Sequence, residues 1–191
     1  MSATASAEAT PAVAGGRRAL GLAALTLVVL LVSGVALLLL PRPNGVPVEG
    51  VDVAAAAARD RAELGFAPTV PAGLGAGWVV RGTDVQRGTD GRPTWHLTYV
   101  TPSGEVAGLQ QTVEATPAWE SRQVTDGRDV GTRLVAGVAW VVRSREDRGI
   151  ISLVRRPEPG DRAGATTVVS TSGSQAEADE LATAVVRAQG G

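Results

Sequence analysis

Residues 93–111 read PTWHLTYVTPSGEVAGLQQ, and this stretch decides the fold. Two strand-like runs, 94–100 and 105–113, flank Thr101-Pro102-Ser103-Gly104. Proline second and glycine fourth is the chemistry of a type I turn, because proline presets φ and glycine accepts the backbone at the exit. The two runs are expected to pair as an antiparallel hairpin. Alternation puts Trp95, Leu97 and Tyr99 on one sheet face and His96, Thr98 and Val100 on the other, with the tryptophan side facing the core.

Outward from this hairpin, further strand-like runs fall at 78–86, 132–136, 138–144, 150–155 and 166–171. A short helix is expected near 117–123. Asp52 should cap a helix through Leu64 that Gly65 closes. Ser174-Gln175-Ala176-Glu177 fits a capping box, in which Ser accepts from the backbone and Glu reaches back. Behind it Ala178, Leu181, Ala182, Val185 and Val186 recur at helical spacing, one apolar face for a sheet. Helix, strands, short helix, strands and final helix is the order of an α+β domain with an antiparallel sheet and flanking helices. Two successive units of three strands and a helix can be read in it.

Ahead of this domain, residues 19–40 carry no charge, and that run makes about 33 Å of helix against a hydrocarbon core of roughly 30 Å. A transmembrane helix is expected there. A cleaved signal peptide is the rival, but its apolar region is normally shorter and ends at a small-residue site. Arg17 and Arg18 abut the run on one side and only Arg42 on the other, so the positive-inside rule puts the N-terminus in the cytoplasm. The expected organisation is a disordered cytoplasmic tail (1–18), a single-pass helix (19–40), a Pro-rich tether (41–51) and an extracytoplasmic domain (52–191). The cell membrane is the expected location and the lipid bilayer the first partner.

Composition removes several function classes. The formal net charge is −1, which gives no electrostatic footprint for nucleic acid. All 18 basic residues are arginine, and there is no cysteine, hence no disulfide and no thiolate metal site. Aromatic residues make up only 3%, so Val, Leu, Ile and Ala must build most of the core.

The tether PRPNGVPVEGVDV (41–53), the stretch VPAGLGAGW (70–78) and the run 93–111 carry a family resemblance. They resemble an actinobacterial family of single-span envelope proteins known only as a domain of unknown function (DUF4245-like). The resemblance implies membrane anchoring and an envelope location, and it supplies no catalytic residue. Two positions depart from the family pattern. Val106 stands where an aromatic follows the Gly-Glu of the turn, and Val141, Val142 and Arg143 follow Trp140 where a tyrosine belongs.

No residue set points to catalysis. His96 is the only histidine and lacks the partners of a zinc site or a Cys dyad. Ser103 has no nucleophile-elbow pattern around it. Gly73-Leu74-Gly75-Ala76-Gly77 leads into a strand rather than a helix, so it is a connector and not a phosphate loop. The carboxylates of the turns show neither calcium-loop spacing nor a glycosidase pair. Arg143, Arg145, Arg148, Arg155 and Arg156 gather on the hairpin of the fifth and sixth strands. With Glu146 and Asp147 among them, they read as a charged sheet edge that discourages aggregation.

Arg143, Arg155, Arg156 and His96 are the candidate ligand or partner surface, since guanidinium forks bind anions bidentately. No cofactor or metal is expected. The favoured function is a non-catalytic, membrane-anchored binding module with an envelope or membrane protein as partner. The alternatives are a structural accessory subunit of a membrane complex and a hydrolase-type enzyme using His96.

Overall fold

The computed structural model describes residues 51–88, 90–161 and 164–190. The expected tail, the span 19–40 and residues 41–50 of the tether lie outside the described residues. Among the described residues no helix is long and apolar enough to cross a membrane.

Helix α1 (Val53–Leu64) opens the domain, with Asp52 accepting from Ala55 N at 2.9 Å and Gly65 closing it at φ 75°. Three strands follow, β1 (Val79–Arg87), β2 (Pro93–Val100) and β3 (Val106–Val113), and then the short helix α2 (Pro117–Gln123). Four more strands, β4 (Arg128–Val135), β5 (Val138–Arg145), β6 (Ile150–Arg155) and β7 (Ala165–Thr171), lead to helix α3 (Gln175–Gln189). The order across the sheet is β1-β2-β3-β7-β6-β5-β4, and every neighbouring pair is antiparallel. The domain is α+β, as its element order implied. Instead of two three-strand units it joins a three-strand meander to a four-strand one through β3 and β7.

The β2–β3 hairpin forms as its turn chemistry requires: Gly104 N donates to Thr101 O at 2.9 Å and Gly104 takes φ 85°. The capping box forms in full. Ser174 Oγ accepts from Glu177 N at 3.2 Å while Glu177 Oε2 accepts from Ser174 N at 2.8 Å.

One sheet face packs on α1 and α3. Trp95, Leu97, Leu109, Trp140, Leu153 and Val169 are fully buried there against Leu181, Ala182 and Val185 of α3 and Leu64 of α1. Burying each such leucine or valine contributes roughly 1.5–3 kcal/mol. Gln111 crosses this core, accepting from Thr69 N at 2.7 Å and donating to Thr167 Oγ1 at 3.0 Å, which ties the long β1-proximal loop to the sheet.

The opposite face carries a smaller core of Trp119, Val124, Val154 and Val168, where α2 lies on β6 and β7. Trp119 is fully buried and its indole N–H donates to Thr94 Oγ1 at 2.8 Å.

Two expectations need correction. The arginine-bearing β5–β6 hairpin is not a sheet edge, because β4 lies outside it and β1 and β4 form the edges. Strand β4 also begins at Arg128 rather than 132. Its charged start hid a strand that pairs Arg128 with Ser144 and Asp129 with Arg143, with an irregularity before Gly131 at φ 127°.

Candidate functional site

The site is built on the α2-side face of the sheet. Strand registers place Gly82, Thr98, Gly108, Ser170, Ser152, Arg143 and Asp129 in one row that crosses all seven strands. The next row runs Asp84, His96, Gln110, Val168, Val154, Val141 and Thr132. Helix α2 covers Val168 and Val154 of this second row. The turn after α2, with Thr125 at φ 54° and Asp126 at φ 56°, is held by Arg145 Nη1 donating to Thr125 O at 2.6 Å. Residues of this turn line two separate cavities.

The first cavity, about 280 Å³, opens over β2, β3 and β7 and is lined by Thr98, Val106, Gly108, Gln110, Thr125 and Ser170. Gly108 forms its floor. A Cβ there would lie 2.5 Å from Gln110 Nε2, so the Gln110 amide folds over the bare backbone. The Gln110 Oε1 atom is buried and has no hydrogen-bond partner among the described residues. A buried acceptor left unmet costs about 1–3 kcal/mol, and the amide must turn towards the cavity before a ligand donor can recover it. Ser152 Oγ donates to Ser170 Oγ at 3.0 Å along the same row. Val106, a point of departure from the family pattern, stands at the rim and is 42% exposed.

His96 is not among the residues lining this cavity; it is the cross-strand neighbour of Gln110 and Asp84. Burial lowers its pKa below the ordinary value, and the Asp84 carboxylate only partly offsets that. Burial thus disfavours the imidazolium. Among the described residues no group of three His, Cys, Asp or Glu is placed to hold a metal ion.

The second cavity, about 430 Å³, lies between α2, β5 and the end of β6. Glu120, 8% exposed, is its centre. Arg156 donates from Nε to Glu120 Oε2 at 2.8 Å and from Nη2 to Oε1 at 2.6 Å, and Arg143 Nη2 donates to Oε1 at 3.0 Å. Arg143 Nε is buried without a partner among the described residues.

The four candidate residues thus separate. Arg143 and Arg156 converge on Glu120. Arg155 has the opposite parity, and its guanidinium donates to Gln189 Oε1 on α3. His96 shares the face of Arg143 but lies four strands away, about 19 Å at the usual strand spacing. Sequence reasoning missed Glu120 and Gln110. Glu120 sat in a predicted helix with nothing to say which strand it would meet, and Gln110 was one polar residue in an alternating run.

Over residues 19–185 the sequence matches the family described as a protein of unknown function, DUF4245. The chain belongs to that family. No curated protein matches this DUF4245 chain at a significant level. Among solved structures, a chain in the complex of Pseudomonas aeruginosa MucA/MucB is similar to it, with 15% identity and a TM-score of 0.38. The likeness covers 61% of this chain and 34% of that one, so the DUF4245 chain spans about a third of its length. At that score and identity the likeness decides neither fold nor activity.

Proposed function

We propose that this DUF4245 protein is a membrane-anchored, extracytoplasmic binding module of the cell envelope. It engages a polypeptide partner through the uncovered half of the α2-side face and performs no catalysis. The observation that carries the reading is the buried, unmet Gln110 Oε1 in a cavity walled by Thr98 and Ser170. Hydroxyls and an amide favour a neutral hydrogen-bonding ligand, and backbone N–H groups of a polypeptide supply the donor that Gln110 lacks.

A glycan fits less well, because sugar C–H edges seek aromatic faces. Trp95 and Trp140 are buried on the helix side, Trp119 lies beneath α2, and Trp78 packs edge-on against Tyr99 at 5.8 Å.

Anchoring rests on the uncharged run 19–40 and on the arginines before it. The tether sets the reach: ten extended residues span about 35 Å at most, so partners are membrane neighbours. The reading gives His96 no catalytic role: the residues opposite it in register, Asp84 and Gln110, offer no hydroxyl or thiol for it to activate.

The test is in-cell crosslinking of the full-length protein, followed by purification and mass spectrometry, in wild type, Thr98→Arg and Ala58→Arg. Ala58 is exposed on α1, away from the cavity. One reproducible partner in wild type and Ala58→Arg, lost in Thr98→Arg, is expected. A partner that survives Thr98→Arg overturns the assignment of the surface.

A further inference from the structure

We propose that the cavity around Arg143, Glu120 and Arg156 is a binding site for a phosphate-bearing small molecule or headgroup. It lies beyond the partner surface described above and uses none of the same residues. Two guanidinium cations face one carboxylate, and among the described residues Glu120 is the only acidic one lining the cavity, so a surplus of one positive charge remains there. The neighbouring carboxylates bond elsewhere: Asp90 to Arg122 at 3.3 Å, Asp126 to Ser121 Oγ at 2.8 Å and to Arg145 at 4.0 Å, and Asp129, opposite Arg143 in register, to Gly131 N at 3.0 Å.

The donors also outnumber the acceptors. Each guanidinium carries five N–H groups. Glu120 takes one from Arg143 and two from Arg156, and the buried Arg143 Nε has no partner among the described residues. A carboxylate is planar and meets one fork well, as Glu120 meets Arg156. A phosphoryl group presents three oxygens in different directions, so it can accept from both arginines, which approach from β5 and from the end of β6. The remaining lining, Ala115, Pro117 and Val124 with the hydroxyl of Thr166, suits a compact organic body. The volume of about 430 Å³ lies within the range of small-molecule sites.

The test uses the full-length chain in neutral detergent and reads binding by calorimetry. The probes are glycerol 3-phosphate, dihexanoyl-phosphatidylglycerol and dihexanoyl-phosphatidylcholine. Glycerol 3-phosphate or the phosphatidylglycerol is expected to bind with Kd of about 1 mM or tighter. If the lipid is at least tenfold tighter, the source is a headgroup, and if glycerol 3-phosphate is the tighter, it is a soluble phosphate ester. Arg156→Gln should weaken the binding about tenfold or more, while Arg87→Gln, on the far edge strand β1 and paired there with Glu63, should leave it unchanged.

Ser121→Trp, which puts an indole at a lining position and keeps both arginines in the sequence, should abolish binding independently of Arg156→Gln. Binding by neither anionic probe, equal binding of the phosphatidylcholine, or full binding by Ser121→Trp overturns the proposal. Thr98→Arg should leave phosphate binding intact, so failure here is separable from failure of the partner reading.

Discussion

Arg156 holds Glu120 by two parallel hydrogen bonds, Nε to Oε2 at 2.8 Å and Nη2 to Oε1 at 2.6 Å, across 36 residues of sequence. This fork and the single bond from Arg143 fasten α2 to the sheet. The three charges are unequally buried: the side chains of Glu120, Arg143 and Arg156 are 11%, 24% and 49% exposed. Removing the half-exposed partner should therefore cost little and removing the buried one more. Arg156→Gln is expected to lower unfolding free energy by about 0–1 kcal/mol. Glu120→Ala, which strands Arg143, should lower it by roughly 2–3 kcal/mol. Urea unfolding of the two variants checks this, and the reverse ranking contradicts it.

Trp119 is the other fastening of α2. Trp119→Ala removes a fully buried indole and should cost about 3–5 kcal/mol. Thr94→Val keeps the volume but strands the indole N–H, for about 1–3 kcal/mol. Similar small losses for both would contradict the packing described.

His96 is the only histidine, so its proton resonances titrate without overlap. Burial disfavours the imidazolium, and the NMR midpoint is expected below the ordinary value of 6.5. Asp84→Asn removes the opposing carboxylate and should lower the midpoint further. A midpoint above 6.5 would contradict the burial of this side chain.

Glu177 should govern acid stability. Burial opposes its ionisation, but hydrogen bonds from Ser103, Ser174 and Thr101 outweigh that and hold its pKa at about 2, below the ordinary 4.5. Because the folded value is the lower one, the carboxylate stabilises the fold fully above pH 4.5. That contribution drains as pH falls towards 2. In Glu177→Gln the loss of stability over this window should be shallower than in wild type. Parallel curves for the two proteins would contradict the hydrogen-bonded, ionised state.

Local chemistry explains what was legible in the sequence. The turn at Thr101–Gly104, the cap at Asp52 and the box at Ser174 and Glu177 act within a few residues, and each formed where its pattern lay. Strand alternation likewise assigned Trp95, Leu97 and Tyr99 to the helix-covered core. Strand order was not legible, because nothing local tells β3 to pair with β7 or puts β4 at the edge. That order determines the site. It brings Glu120 to Arg143 and Arg156, separates His96 from Arg143 by four strands, and turns Arg155 towards α3. The five arginines looked like one cluster in sequence, yet strand parity sends neighbours 155 and 156 to different partners.

The central claim is an anchored domain held outside the cytoplasm, and the absence of cysteine makes it directly testable. Single substitutions Ser2→Cys and Ala58→Cys, in the full-length chain in intact cells, are challenged with a membrane-impermeant thiol reagent before and after lysis. Ala58 is exposed on α1. Labelling of Ala58→Cys in intact cells, with Ser2→Cys labelled only after lysis, is the predicted result. Protection of Ala58→Cys until lysis would place the domain in the cytoplasm and contradict the account.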